Sequence, residues 1–287
     1  MREITVGVVA PAYVNVPLWI AQKRGFLERR ELAATERICG TTHGVTSALR
    51  GGEVDIALTA PEGSIADAVA GGPLRVVAGL IDTPPLSMIA IPAHKTFGDL
   101  RGGRIGTSSL TEGTRHVAER MLAAHGLGYP ADYDFALAGS HVERWKALQA
   151  GTIDAALQMI PYDAMAADAG FTDLGPVTEE FALNAACVRL DTERGTVSAF
   201  LQALAEAAGW FRDHVEESAA IAAERTSTEL RYALGACQVL AAAGVLSRDL
   251  RSAPAALAAV VGALRSSGLI PPDGPDPLEA AVDYSYL

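Results

Sequence analysis

The chain is poor in cysteine, has no long apolar run and carries no excess of basic charge. Its three cysteines, Cys39, Cys187 and Cys237, are scattered through 287 residues. They form no metal-ligand spacing, and an odd number gives no complete disulfide set, so buried and inert thiols are expected. Lys and Arg number 23 against 34 Asp and Glu, a formal charge of −11. That balance excludes nucleic acid and anionic membrane surfaces as partners. It leaves an anionic small molecule open, because backbone N–H groups at a closed site outweigh net charge. No stretch approaches the roughly 20 apolar residues of a membrane span. The opening Met1-Arg2-Glu3-Ile4-Thr5-Val6-Gly7 enters a strand at once, with no apolar core or cleavage site of a secretory leader. A cytoplasmic chain is expected as written, and a periplasmic or membrane-tethered one if the numbering omits a leader. The phosphate loop Gly-x-x-x-x-Gly-Lys-[Ser/Thr] and the nucleophile elbow Gly-x-Ser-x-Gly are both missing. His94, His116, His125 and His214 are scattered without zinc spacing, so neither metal nor cofactor is expected.

What the chain does have is a core and a repeat. Apolar residues make up 49%, enough for one large domain or two ordinary ones. Ala48-Leu-Arg-Gly-Gly52-Glu-Val-Asp55-Ile-Ala-Leu58 recurs, 99 residues later, as Ala147-Leu-Gln-Ala-Gly151-Thr-Ile-Asp154-Ala-Ala-Leu157. The same offset brings Val6-Gly7 onto Ile105-Gly106, each at the end of a predicted strand. Strands at 4–9, 35–39, 55–58, 74–80 and 87–91 alternate with helices at 18–24, 46–50 and 65–70, the glycines marking helix ends. The second half repeats the alternation, with a strand ending at 105–107, helices at 114–125, 142–149 and 162–169, and a strand at 153–157. From Val197 the pattern turns to helix alone, with apolar residues spaced about 3.6 apart. The fold class expected is α/β: two lobes with mainly parallel sheets flanked by helices, and a helical C-terminal region. Lobe 1 would hold 1–90 and 185–287 and lobe 2 91–184, with a hinge near 88–93 and 182–188 and function in the cleft the lobes leave.

Three segments carry a family resemblance. Pro17-Leu-Trp-Ile-Ala21-Gln-Lys-Arg-Gly25-Phe26-Leu27 resembles a P-x-x-x-A-x-x-x-G-[FY]-[FL] opening, and Ala48-Leu49-x-x-Gly52-Glu53-Val54-Asp55 an A-L-x-x-G-E-[IV]-D signature. Asp99-Leu100-Arg101-Gly102-Gly103-Arg104-Ile105-Gly106 resembles the D-L-[KR]-G-[KR]-x-[IV]-G start of a second lobe. Together they resemble the type II periplasmic binding protein fold. The similarity is to the branch that binds sulfonates, nitrate, taurine and thiamine-pyrimidine precursors as substrate-binding proteins of ABC transporters. The same scaffold also hosts a sulfinate desulfinase, a dihydroxyphthalate decarboxylase and a pyrimidine synthase, so fold alone does not give function. The desulfinase resemblance reaches Gly40-Thr41-Thr42-His43 and Arg50-Gly51-Gly52-Glu53. It places a nucleophilic Cys near Ala12, where this chain has none. The synthase would need Lys and His near Thr59–Gly63 and a Cys-rich motif, all absent.

In such a fold ligands meet the ends of strands and the starts of the helices that follow. Four loops qualify. In the first, Tyr13 and Asn15 either contact a ligand or, for Asn15, cap the next helix. In the second, Thr42 is a candidate N-cap and anion donor, and His43 a ligand contact, a proton donor or a surface residue. In the third, Glu62 either pairs with a ligand or is a solvated first-turn residue favoured by the helix dipole. In the fourth, Ser108, Ser109, Glu112 and Thr114 offer hydroxyls and N–H groups for an anion, faced by His141 and Tyr162. The function expected is a solute-binding protein closing by hinge motion on an aromatic, heteroaromatic or small anionic ligand, with an ABC permease as candidate partner. The alternative is a cytoplasmic lyase, decarboxylase-like or desulfinase-like, with His43 and Glu62 as its acid–base pair.

Overall fold

The computed structural model describes residues 1–111, 113–242 and 249–287. Glu112 therefore lies outside the described residues. The chain divides into two compact units, Met1–Pro84 with Glu180–Leu287, and Pro85–Glu179. Unit 1 begins with β1 (Arg2–Val8), α1 (Val16–Lys23), β2 (Leu32–Ile38), α2 (Thr42–Arg50), β3 (Ile56–Thr59), α3 (Glu62–Val69) and β4 (Leu74–Ile81). Unit 2 comprises β5 (Leu86–Ala90), β6 (Gly103–Thr107), α4 (Thr114–Ala124), β7 (Tyr133–Leu137), α5 (His141–Gln149), β8 (Ala155–Met159), α6 (Tyr162–Asp168) and β9 (Thr172–Pro176). The chain then returns to unit 1 with β10 (Asn184–Arg189), α7 (Arg194–Asp213), α8 (Val215–Thr226), α9 (Leu230–Ala242), α10 (Pro254–Ser266) and α11 (Pro277–Ala281).

Among the described residues the strands form two five-stranded sheets, ordered β2-β1-β3-β10-β4 and β7-β6-β8-β5-β9. The first three strands of each run parallel, and the fourth is antiparallel to its neighbours. The sequence repeat is thus a repeat of sheet topology. Its register is kept too: Val6 pairs with Ile56 and Ile105 with Ala155, each pair shifted by 99 residues. The shared Asp explains the register. Asp55 accepts the Thr5 N–H on Oδ2 at 2.7 Å, and its own N–H donates to the Thr5 carbonyl at 2.9 Å. Asp154 does the same with Arg104, at the same two distances. The shared glycine explains the close packing. A Cβ on Gly7 would stand 3.1 Å from Val54, and one on Gly106 only 2.4 Å from Ile153 Cδ1. Val54 and Ile153 are the apolar residues that precede the two aspartates.

β3 and β5 are buried along their whole length, as expected of central strands covered on both faces. The helical C-terminal region belongs to unit 1, where α7 and α8 pack on α1. Its end is stitched back onto the sheet: the Asp283 N–H donates to the Val76 carbonyl at 2.8 Å. Among the described residues no helix is long and apolar enough to cross a membrane.

Three expectations are corrected. β5 belongs to the second unit, not the first, because it pairs with β8 and β9. The segment 180–184 belongs to unit 1, where Phe181 donates to the Asp82 carbonyl and Leu183 to that of Ile81. The expected hinge segments 88–93 and 182–188 include residues bonded into β5 and β10, so the crossovers fall earlier, at 84/85 and 179/180. Two edge strands, β7 and β9, were not foreseen.

The packing of Ile153 on Gly106 yields a test. Gly106→Ala is expected to destabilise the chain by roughly 1–3 kcal/mol through overpacking. Ile153→Val removes the clashing methyl, so the double variant should recover most of that loss in urea unfolding. A Gly106→Ala variant as stable as the parent would contradict this packing.

Candidate functional site

Each unit ends its three parallel strands in loops that open helices, and each set of loops forms a polar rim on its own unit. In unit 1 the loop after β1 is internally tied. Asn15 donates from Nδ2 to the Ala10 carbonyl at 3.0 Å, and its side chain does not cap α1. The Tyr13 hydroxyl lies 3.4 Å from Thr226 Oγ1 on α8, and burial pushes its pKa up. Both residues shape the loop from beneath. After β2 the cap of α2 is Thr41, whose Oγ1 accepts the Gly44 N–H at 2.9 Å. Thr42, the expected cap, is instead the first helical residue and is buried, because the hydroxyl that points back over the helix start belongs one position earlier. His43 is exposed on the same turn, with Nε2 at 3.4 Å from Ser47 Oγ.

The end of β3 is the polar heart of this rim. Glu62 opens α3 and is 0% exposed, so it is not the solvated first-turn carboxylate that its position allowed. The helix N-terminus favours its negative charge. Burial, with the Glu62 field as a lesser contribution, pushes the Cys187 thiol up to about 12. A buried thiol held in its neutral form is inert. Thr59 closes β3, and Asn184 opens β10 beside Ile81. Asn184 is 2% exposed, and neither its Oδ1 nor its Nδ2 finds a partner among the described residues; the same holds for Thr59 Oγ1. A buried polar group without a hydrogen bond costs about 1–3 kcal/mol.

In unit 2 the loop after β6 is a chain of hydroxyls. Thr107 Oγ1 donates to the Ser109 carbonyl at 3.0 Å and lies 3.4 Å from Thr114 Oγ1. Ser109 Oγ accepts the Thr111 N–H at 3.2 Å. Gly113 precedes α4 at φ +64, a backbone only glycine adopts without strain. Buried His116 holds the loop from below, with Nε2 at 2.8 Å from the Thr111 carbonyl. Burial is the main cause that lowers its pKa, so the neutral ring donates from Nε2. Ser108 is buried beside this loop. After β7, Ser140 and Glu143 form a reciprocal cap on α5, and the Ser140 side chain holds the Glu143 carboxyl below its ordinary range. The His141 and Tyr162 rings meet edge to face at 5.4 Å, and Trp145 lies 6.1 Å from Tyr162. His141 and Tyr162 are thus brought together on one rim.

Two residues here escaped the reading of the sequence. Asn184 lies where the chain returns to unit 1, and neither a strand nor a polar role was read there. Arg144 lies on the buried stripe His141, Arg144, Trp145, Leu148 of α5, and a cation on an apolar stripe was the signal. Among the described residues no group of three or more His, Cys, Asp or Glu could hold a metal ion.

Comparison with known proteins follows the geometry. A family model described as NMT1/THI5 like matches residues 14–218. No curated protein matches the chain. Among solved structures the chain is similar to the alkanesulfonate-binding protein SsuA from Xanthomonas axonopodis pv. citri bound to MOPS, with TM-score 0.76 and 18% identity over 99% of this chain and 98% of that one. It is also similar to a Candida albicans gene product with the generic periplasmic binding protein fold, at TM-score 0.78 and 17% identity over 99% and 97%. A DszB variant in complex with biphenyl-2-sulfinic acid matches at TM-score 0.68 and 15% identity over 100% and 98%. These likenesses establish the fold.

The His116 tether predicts a pH dependence. A histidine whose folded pKa is lowered binds fewer protons folded than unfolded, so stability falls as pH drops below about 6.5. His116→Gln keeps a donor toward Thr111 and removes the titration. The slope of stability against pH between 7 and 5 should be shallower than in the parent. Identical slopes in chemical denaturation would contradict a buried neutral His116.

Proposed function

Since the chain belongs to the NMT1/THI5-like family, we propose that it is a solute-binding protein that takes up a small organic ligand, aromatic, heteroaromatic or anionic, and releases it unchanged. One observation carries this reading: polar side chains at the strand ends of unit 1, Thr59 and Asn184, are buried with their hydrogen-bonding capacity unused, next to a helix that opens with fully buried Glu62. Such groups gain partners when a ligand arrives, and the ligand supplies the free energy that their desolvation cost. In this reading the rim at Ser108, Ser109, Thr114, His141 and Tyr162 supplies the second set of contacts. Thr42 and His43 flank the first set, and Tyr13 and Asn15 support it. The crossovers at 84/85 and 179/180 act as the hinge. The partners are then the solute and an ABC permease, and the place of work is periplasmic or membrane-tethered. The sulfonate-binding neighbour supports this reading.

The neighbour with a bound sulfinic acid supports a second one, a lyase on the same scaffold. There exposed His43 would move a proton and sheltered Glu62 would act as base, without the cysteine missing from the first loop.

A thermal-shift screen of sulfonates, pyrimidines and aromatic acids separates the two when product analysis accompanies it. A ligand at 100-fold excess over Kd should stabilise the chain by about 2.7 kcal/mol and be recovered intact. Asn184→Leu should weaken that ligand at least tenfold. Conversion of the ligand to a product, lost in His43→Ala, would overturn the binding reading in favour of the lyase.

A further inference from the structure

Arg144 is 3% exposed, yet among the described residues no carboxylate pairs with it. It donates from Nε to the Leu157 carbonyl of β8 at 3.2 Å and from Nη1 to the Gly139 carbonyl at 2.9 Å. These carbonyls fix the guanidinium between the middle of β8 (Ala155–Met159) and the turn that follows β7, under the first turn of α5. Of its five N–H donors, the two on Nη2 have no partner among the described residues. The nearest acid in sequence, Glu143, spends its carboxylate on the Ser140 N–H and hydroxyl. Burial lowers the Arg144 pKa to about 10, which still leaves the group charged at neutral pH. A buried cation with no carboxylate in contact, only the field of Glu143 nearby, is a costly feature, and replacing a buried charge with an apolar side chain is commonly neutral or stabilising.

We infer that Arg144 is the charge-selecting residue of the unit 2 rim, and that the solute it selects carries one oxyacid anion, a carboxylate or sulfonate, accepted by Nη2. This inference rests on the solute-binding reading and narrows it. The planar fork of an arginine matches the paired oxygens of such a group, and it is already oriented by its two carbonyl bonds. The apolar body of the ligand would lie toward the His141 and Tyr162 rings, which are already set edge to face.

The test uses three probes of matched shape on the full chain: sodium benzoate, sodium benzenesulfonate and neutral benzamide. At least one of the two anions should raise the melting temperature of the parent, and benzamide should not. Arg144→Met should melt at or above the ligand-free parent and lose the anion response, with affinity falling at least tenfold. Arg144→Lys, which keeps the charge and loses the fork, should retain part of it. An Arg144→Met variant that melts several degrees below the parent would show that the side chain serves to hold the Gly139 and Leu157 carbonyls, and would overturn the inference. So would an unchanged anion response in that variant, or silence of both anions on the parent. A parent that responds to benzamide or another neutral solute and to neither anion keeps the solute-binding reading and loses this one.

Discussion

One contact, made twice, organises this chain: an aspartate side chain accepts a backbone N–H from the neighbouring strand and donates its own N–H to the carbonyl of the same residue. Asp55 grips Thr5, and Asp154 grips Arg104. A ladder pair has alternatives one or two residues away, and a one-residue slip would turn every side chain to the opposite face of the sheet. Two-point attachment at the strand start removes those alternatives. Val54 and Ile153, packed on Gly7 and Gly106, then close the distance between strands and helices. With β1 and β6 fixed, the ends of β3 and β8 are fixed, and so are the helix starts that follow them. Polar rims on both units are thus consequences of one local device, repeated at an interval of 99 residues.

The two rims carry different chemistry. Unit 1 buries a carboxylate at a helix start and leaves an amide and a hydroxyl unsatisfied at its strand ends. Unit 2 offers a ladder of hydroxyls, a pair of facing aromatic rings and a buried guanidinium. Desolvation raises the strength of each such interaction and the cost of leaving it unmade. The negative total charge of the chain is therefore compatible with an anionic solute, because local buried donors outweigh net charge.

The fold was largely legible because its signals are strong. Gly-x-[Val/Ile]-Asp recurs in both halves, central strands read as apolar runs, and glycines mark the helix ends. Edge strands were not legible. Tyr133 is the one buried residue of Tyr133–Leu137, and Thr172–Pro176 includes Gly175 and Pro176, so neither shows the run of a buried strand. The assignment of β5 to the second unit depends on pairing with β8 and β9, a long-range fact with no local trace. Candidate site residues were found by position, after strand ends, and this brought Thr42, His43 and Glu62 to one rim and Ser108, Ser109, Thr114, His141 and Tyr162 to the other. Position could not tell that the Tyr13 hydroxyl turns toward α8, or that Thr41 rather than Thr42 caps α2. Those choices are made by side-chain direction, which sequence spacing does not carry.

Hydrogen exchange by mass spectrometry, with and without a solute that raises the melting temperature, addresses the proposed solute-binding reading most directly, in which the rim of each unit takes part in binding. The account predicts added protection in both, at 40–46 and 59–65 in unit 1 and at 108–116 and 139–146 in unit 2. Protection confined to one unit, with the other exchanging as in the free chain, would contradict it.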